Sequence, residues 1–293
     1  MTNYPRVIDA EVHVLPPEWC APGYSPPATE DVLRSKIYDH PDREAALVGA
    51  HEDGLLAEMA ASGVDGALLL GLPWRDPERN RVNNAYVSRL CRNHPGRFRG
   101  LGVTSAPNRV DLRDEVRRID EELGLRGVKV IPSWQGYRLD DAEFEPALSE
   151  MEKRGLVLFP HIDHLYLPDE GFDPPFRLLN VAKRHPELKI IAPHLGGLLC
   201  LYHLHRPVHA LLSNVLFVSS VPLTLPFIRY AIDAAGADSV AFGTDFPFGP
   251  SHDQRTMRAG VEKLGLAEGD LQLLMGGSIR RFLGWPGDGR VEL

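Results

Sequence analysis

The feature that most limits what this chain can fold into is a repeated alternation. Short apolar runs rich in Val, Ile, Leu and Phe recur at 7–13, 63–71, 98–104, 127–133, 156–163, 189–197, 215–222 and 240–247. Each is followed by a stretch of helical periodicity, such as LLAEMAAS (55–62), VDLRDEVRRIDEELG (110–124) or LPFIRYAIDAAG (225–236). Several of these stretches end in Gly or His-Pro, where a helix stops before the next strand. Runs that are apolar throughout suit strands buried on both faces, and eight β-α units of this kind close into a parallel (β/α)8 TIM barrel. A doubly wound open sheet is the competing arrangement, but no GxGxxG-type phosphate loop follows any early run. At 293 residues the chain has the size such barrels reach as one unit. The expectation is an α/β chain with a single domain over residues 1–293, in which DLQLLMGGSIRRFLG (270–284) adds a helix after the eighth unit.

The first connection departs from the rhythm. Residues 14–50 are rich in Pro and aromatics (PPEWCAPGYSPPATE, then IYDHPDREAAL). Loops of this length in compact domains are usually lids or binding loops. This one leaves the C-terminal end of the first strand, the end where barrel active sites are built. A lid-like loop is expected there; an insertion that merely packs on the barrel is the alternative.

Polar residues collect at the same ends. The first run, VIDAEVH, sets Asp9, Glu11 and His13 at alternate positions, which places all three on one face of a regular strand. The fifth run carries His161 near its end, the sixth His194 and the eighth Asp245. Taken singly, a histidine in an apolar strand is usually a hydrogen-bonded core residue, and Asp245 in FGTDFP reads equally well as a turn or capping residue. Together, the carboxylates of Glu11 and Asp245 and the three imidazoles in one mouth would repel or desolvate one another without a cation. A divalent metal ion relieves that conflict, since carboxylate and neutral imidazole are both good ligands for Zn2+, Mn2+ or Fe2+.

Composition narrows the partners. The net charge is −8 with no Lys/Arg-rich block, which argues against nucleic acid and anionic membranes. No apolar run approaches the ~20 residues that span a bilayer. Cys20, Cys91 and Cys200 are scattered and form no CxxC pair, so they read as reduced thiols. MTNYPRVID lacks the basic and apolar parts of a signal peptide. The expected partner is a small molecule met in the cytoplasm, and a homo-oligomer is compatible with these features.

The motifs together resemble the amidohydrolase superfamily, in the branch that includes aminocarboxymuconate-semialdehyde decarboxylase. The resemblance runs over nearly the whole chain and rests on IDAEVH, GVKVIPSWQG, PHID, APHLGG, FGTDFP and GGSIRRFLG. It implies one divalent ion, Zn2+ or Mn2+ with Fe2+ also suited, held by Glu11, His13, His161 and Asp245. It also implies His194 as the acid/base beside the ion, with Asp245 sharing in proton transfer. Much of the superfamily has His-x-His on the first strand, where this chain has Glu11-x-His13. Glu-x-His also occurs in the branch, notably among hydroxybenzoate decarboxylases. Two anionic ligands leave a dication a weaker Lewis acid toward water than an all-imidazole site does. Some relatives carry a carboxylated Lys that bridges two metals at the strand of Lys129, but the GVKV context resembles the single-metal branch.

Around the mouth, Trp74 and Arg75 follow the second run, Trp134 and Gln135 the fourth, and His164 and Tyr166 the fifth. These are candidate walls of a substrate pocket, with Arg75 placed to meet a substrate carboxylate because guanidinium binds it bidentately. HLHRPVH (203–209) looks like a metal cluster by count but lies beyond the sixth strand and reads as surface. Two reactions fit the site. One is hydrolysis of an amide, lactone or similar ester by metal-activated water, its proton taken by Asp245 or His194. The other is non-oxidative decarboxylation of an unsaturated or aromatic acid, with His194 governing the proton that replaces CO2. Glu-x-His leans toward decarboxylation; PHLGG, FGTDFP and the short chain lean toward hydrolysis, which is the expectation. A catalytically silent barrel that only binds is a third reading, disfavoured because every expected ligand position holds a competent residue.

Overall fold

A computed structural model describes residues 7–40, 42, 46–162, 173–220, 224–248 and 253–285. Each of the eight apolar runs contains a strand: β1 (Ile8–His13), β2 (Gly66–Leu70), β3 (Phe98–Gly100, resuming as Gly102–Val103) and β4 (Gly127–Val130). β5 (Val157–Pro160), β6 (Lys189–Ala192), β7 (Val215–Val218) and β8 (Val240–Ala241) follow. Neighbours in the chain pair in parallel, β3 linking the two groups of strands through its two segments. The ring closes between last and first: Ala10 N–H donates to the Phe242 carbonyl at 2.9 Å and His13 N–H to that of Phe246 at 2.7 Å. This is the closed barrel the rhythm predicts.

Alternation along the strands builds two layers of core. Ile8, Leu68, Leu70, Phe159, Ile191 and Val218 fill the barrel, and Ile279 and Trp285 join that inner cluster from the C-terminal helix and the residue beyond it. The alternate residues, among them Leu69, Val128, Leu158 and Phe217, pack outward against Met59, Leu90, Met151 and Ile228 of the surrounding helices. Those helices start where their sequences allow. Asp76, Asp111 and Asp253 each accept a hydrogen bond from a backbone N–H of the first turn, satisfying donors that a helix leaves open.

Three expectations are corrected. Asp9 pairs with Ala67 and Val12 with Leu69, so three residues of β1 span two of β2. The extra residue is a bulge, and it reverses the alternation: Ile8 and Ala10 belong to the inner cluster, Val12 and Val14 to the outer one. Asp9 therefore faces outward and does not share a face with Glu11 and His13. The sixth and eighth runs also yield shorter strands than 189–197 and 240–247. Beyond Ala192 and Ala241 the chain leaves extended geometry, with His194 at φ 56° and Asp245 at φ 61°. Likewise, the stretch after β6 breaks into short turns, Leu199–Leu204, Arg206–His209 and Ala210–Leu212, in place of one helix.

The described part of the 14–50 segment packs over the C-terminal ends of β2 and β4. Leu15, Trp19, Leu33, Ile37 and Tyr38 form one cluster with Leu72 and Trp74 after β2 and Ile131 and Trp134 after β4. Glu30, 1% exposed, fastens it by accepting from the backbone N–H groups of Arg75 (2.9 Å) and Asp76 (2.8 Å). Among the described residues no helix is long and apolar enough to cross a membrane.

Candidate active site

The bulge in β1 turns Glu11 and His13 inward at the C-terminal end of the barrel, where both are buried. Asp245 comes from the turn after β8, which can run this close because residue 243 is glycine. A Cβ at Gly243 would lie 2.3 Å from Val218 Cγ1 and 3.4 Å from the Glu11 nitrogen. One ligand atom from each of Glu11, His13 and Asp245 lies within 4.8 Å of the other two. His13 Nε2 is 3.3 Å from Asp245 Oδ1 and 4.0 Å from Glu11 Oε1.

The hydrogen bonds fix which groups are free to ligate. His13 Nδ1 lies 3.2 Å from the Gly71 carbonyl. A carbonyl only accepts, so Nδ1 carries the proton and Nε2 presents a lone pair to the two carboxylates. Burial lowers the imidazole pKa to about 3, with the Lys129 charge acting in the same direction, so the ring is neutral near pH 7. Burial pushes the Glu11 carboxyl up; Lys129 opposes that and Asp245 adds to it. Lys129, wholly buried on β4, reaches Glu11 Oε1 at 3.3 Å and sits 4.4 Å from the Phe159 ring centroid. It engages one oxygen of Glu11; the other, Oε2, is buried and accepts no hydrogen bond among the described residues. A lone pair, a carboxylate and a half-satisfied second carboxylate converging at a buried point form a donor set that fits a divalent cation.

His161 and His194 stand together just beyond the ends of β5 and β6. Their ring centroids are 4.9 Å apart with planes inclined at 62°. His161 follows β5, its N–H donating to the Val130 carbonyl at 2.9 Å. His194 opens the turn after β6 in a left-handed conformation, its N–H donating to Ser220 Oγ at 3.3 Å. Of the four predicted ligands, Glu11, His13 and Asp245 form the close cluster, and the ring of His161 lies against that of His194.

The predicted pocket residues divide. Arg75 is partly exposed and donates to Asp31 Oδ1 (2.5 Å) and to the Trp134 carbonyl (3.3 Å). It lines a cavity of about 240 Å³ with Ala106, Asn108, Arg109, Gln135 and Gly136. Trp74 is fully buried, its ring 4.7 Å from that of Trp19 and beneath the Arg79 guanidinium at 5.1 Å. It packs the 14–50 segment onto the barrel and offers no surface to a ligand, and Trp134, 6% exposed, lies in the same cluster. His164 and Tyr166 fall outside the described residues. The HLHRPVH run is not wholly surface, because His203 is buried with its Nδ1 3.2 Å from that of His209. Sequence reasoning missed the outward network around Asp9, whose one signal was its two-residue offset from Glu11. It missed Glu30 altogether, since nothing in PPATE marks a buried carboxylate.

The sequence matches the amidohydrolase family Amidohydro_2 over residues 8–285. It is similar to 2-amino-3-carboxymuconate-6-semialdehyde decarboxylase of Dictyostelium discoideum, 24% identical over 198 residues, covering 56% of this chain and 55% of that protein. The match thus spans about half the length of that relative. Among solved structures, 5-carboxyvanillate decarboxylase from Sphingomonas paucimobilis superposes with a TM-score of 0.77 at 21% identity, covering 96% of this chain and 99% of the other. A 2,6-dihydroxybenzoate decarboxylase complexed with 2,6-dihydroxybenzoate gives 0.72 at 20%, covering 95% and 98%. The 5-carboxyvanillate decarboxylase from Novosphingobium aromaticivorans, complexed with manganese and 4-hydroxy-3-methoxy-5-nitrobenzoic acid, gives 0.73 at 19%, covering 95% and 96%. The structural likenesses show a shared fold. With the family match running from β1 to Trp285, the chain belongs to the amidohydrolase family and is an enzyme of that superfamily.

Proposed function

We propose that this chain, acting as a single (β/α)8 domain, is a metal-dependent, non-oxidative decarboxylase of a small aromatic or conjugated unsaturated carboxylic acid. The observation that carries this reading is the donor set itself, two carboxylates and one neutral imidazole within 4.8 Å of one another. Such a set offsets the charge of a dication and so weakens its acidification of bound water, which tells against hydrolysis by a metal-activated water. The three decarboxylases to which the chain is similar support the same choice, and the expectation of hydrolysis gives way to it.

Glu11, His13 and Asp245 would hold the cation, with His161 as the fourth ligand and Asp245 also able to share a proton. Mn2+ comes first, as in the manganese-bound relative, and Zn2+ or Fe2+ next. When bound, the ion supplies a Lewis acid that fixes a phenolate, enolate or carboxylate oxygen. The remaining work falls to side chains of this chain. His194, as imidazolium, delivers its proton to the carbon that loses CO2. The C–C bond breaks, its electron pair stays on that carbon, and the proton from His194 forms the new C–H bond. Solvent then restores the imidazolium. Arg75 and Arg109 in their shared cavity suit a second anionic group on the substrate. Trp134, His164 and Tyr166 are further candidates for contact with its ring.

The test loads the protein with Mn2+ and offers it hydroxybenzoates, 5-carboxyvanillate-type acids and carboxymuconate-type acids beside lactones and amides. The expected result is CO2 release with one deuterium placed on the product carbon in D2O. Hydrolysis of a lactone or amide without CO2 release from any acid would overturn the proposal. The variant His194→Ala is expected to retain Mn2+ and lose roughly 10²–10⁴-fold in turnover, the usual contribution of a positioned proton carrier.

A further inference from the structure

Asp9 takes no part in the reaction above, yet it is wholly buried and each of its oxygens accepts twice. Oδ1 receives the N–H groups of Thr244 (3.0 Å) and Glu11 (3.1 Å). Oδ2 receives the Thr244 hydroxyl (2.5 Å) and Gln254 Nε2 (2.9 Å). Thr244 Oγ1 in turn accepts from the Phe246 N–H at 3.1 Å. Asp245 is therefore bracketed: the residue before it is bound to Asp9 twice, and the residue after it is bound to the hydroxyl that Asp9 orients. Between them Asp245 stands at φ 61°, a left-handed conformation that residues other than glycine adopt chiefly with local hydrogen-bond support. Such a conformation persists only where its surroundings over-determine it. The bonds that end on Asp9 supply that constraint.

We propose that Asp9 is a positioning residue for the metal centre. Through Thr244 it holds Asp245 in the left-handed turn that brings its carboxylate to His13. Through the Glu11 N–H it ties the ligand on β1 to the same buried group. One carboxylate on the outer side of the barrel thus sets the separation of ligands contributed by the first and last strands. The inference rests on Glu11, His13 and Asp245 being metal ligands. It is distinct from a purely structural role, in which Asp9 would only anchor the helix Gln254–Glu262. That anchoring runs through a separate arm, Gln254 Oε1 accepting from the Ser62 hydroxyl at 3.1 Å.

The experiment measures the Mn2+ dissociation constant by the electron paramagnetic resonance of free Mn2+, alongside the melting temperature, in four variants. Thr244→Val removes the hydroxyl that joins Asp9 to Phe246 and should weaken Mn2+ binding at least tenfold. Thr244→Ser restores the hydroxyl and should bind within about twofold of wild type. Asp9→Asn should weaken binding as Thr244→Val does; the two Thr244 variants carry the test if it does not fold. Ser62→Ala breaks the far end of the helix arm and should lower the melting temperature without moving Mn2+ affinity. Folded Thr244→Val protein that binds Mn2+ like wild type overturns the inference. So does Ser62→Ala if its binding weakens as much, because affinity would then follow stability alone. Wild-type protein that binds no Mn2+, Zn2+ or Fe2+, or an Asp245→Asn variant that binds like wild type, overturns the ligand assignment as well.

Discussion

Lys129 carries a buried positive charge whose partner, Glu11, is itself a proposed ligand for a cation. The two positive charges would share one carboxylate, which Lys129 already engages at Oε1. Lys129→Met keeps the stem against Phe159 and removes the ammonium. Without metal this leaves an uncompensated buried carboxylate, expected to cost about 3–5 kcal/mol. With Mn2+ the cost should shrink, because the ion then neutralises Glu11 without competition. The prediction is a melting temperature that falls steeply without metal and recovers more on Mn2+ addition than in wild type. An equal loss in both conditions would show that Lys129 acts by packing alone. At this scale the sequence is legible where chemistry is local. Glu11, His13 and Asp245 can be picked out because charged groups at the ends of apolar strands need a reason to be there. The direction of Asp9 could not be, because one inserted residue reverses a strand's faces and the insertion is defined only against its partner, β2.

Strand and helix elements follow the apolar rhythm closely, and their ends do not. β6 and β8 stop early because His194 and Asp245 turn out of extended geometry into the mouth, a departure that side-chain type alone does not announce. The 14–50 segment was recognisable as an unusual connection, but its attachment was not. Glu30 grips the backbone of Arg75 and Asp76, forty-five and forty-six residues away, through N–H groups that any sequence possesses. This attachment makes the segment testable as a unit. Glu30→Gln preserves shape but turns an amide N–H2 toward one of the two backbone donors. The expected cost is about 1–3 kcal/mol, that of a buried donor left unsatisfied. Hydrogen exchange should then quicken at the Arg75 and Asp76 amides and across residues 17–38, while β5 and β6 keep their protection. Uniform quickening throughout the barrel would mean that the segment is part of the global fold and has no independent opening.

Taken as a whole, the barrel closes at a seam formed by a short strand. β8 is only Val240–Ala241, and its neighbourhood joins β1 through the Ala10–Phe242 and His13–Phe246 backbone bonds. The proposed ligands straddle that seam, with Glu11 and His13 on one side and Asp245 on the other. A cation held by all three would clip the first strand to the last, so its binding energy acts on closure of the ring. At a free Mn2+ concentration of 100 times the dissociation constant, linkage gives about 2.7 kcal/mol of stabilisation. For a chain of this size that corresponds to roughly 5 °C in melting temperature. Chelation should remove that increment and Mn2+ should restore it, and Asp245→Asn should show little of either change. The location of the effect is the sharper test. Loss of metal should quicken hydrogen exchange most at residues 8–14 and 240–248 and least at β4 and β5 across the barrel. An equal effect on both sides would place the ion's contribution away from the seam, and with it would go the assignment of Asp245 as the ligand that joins the two ends of the barrel.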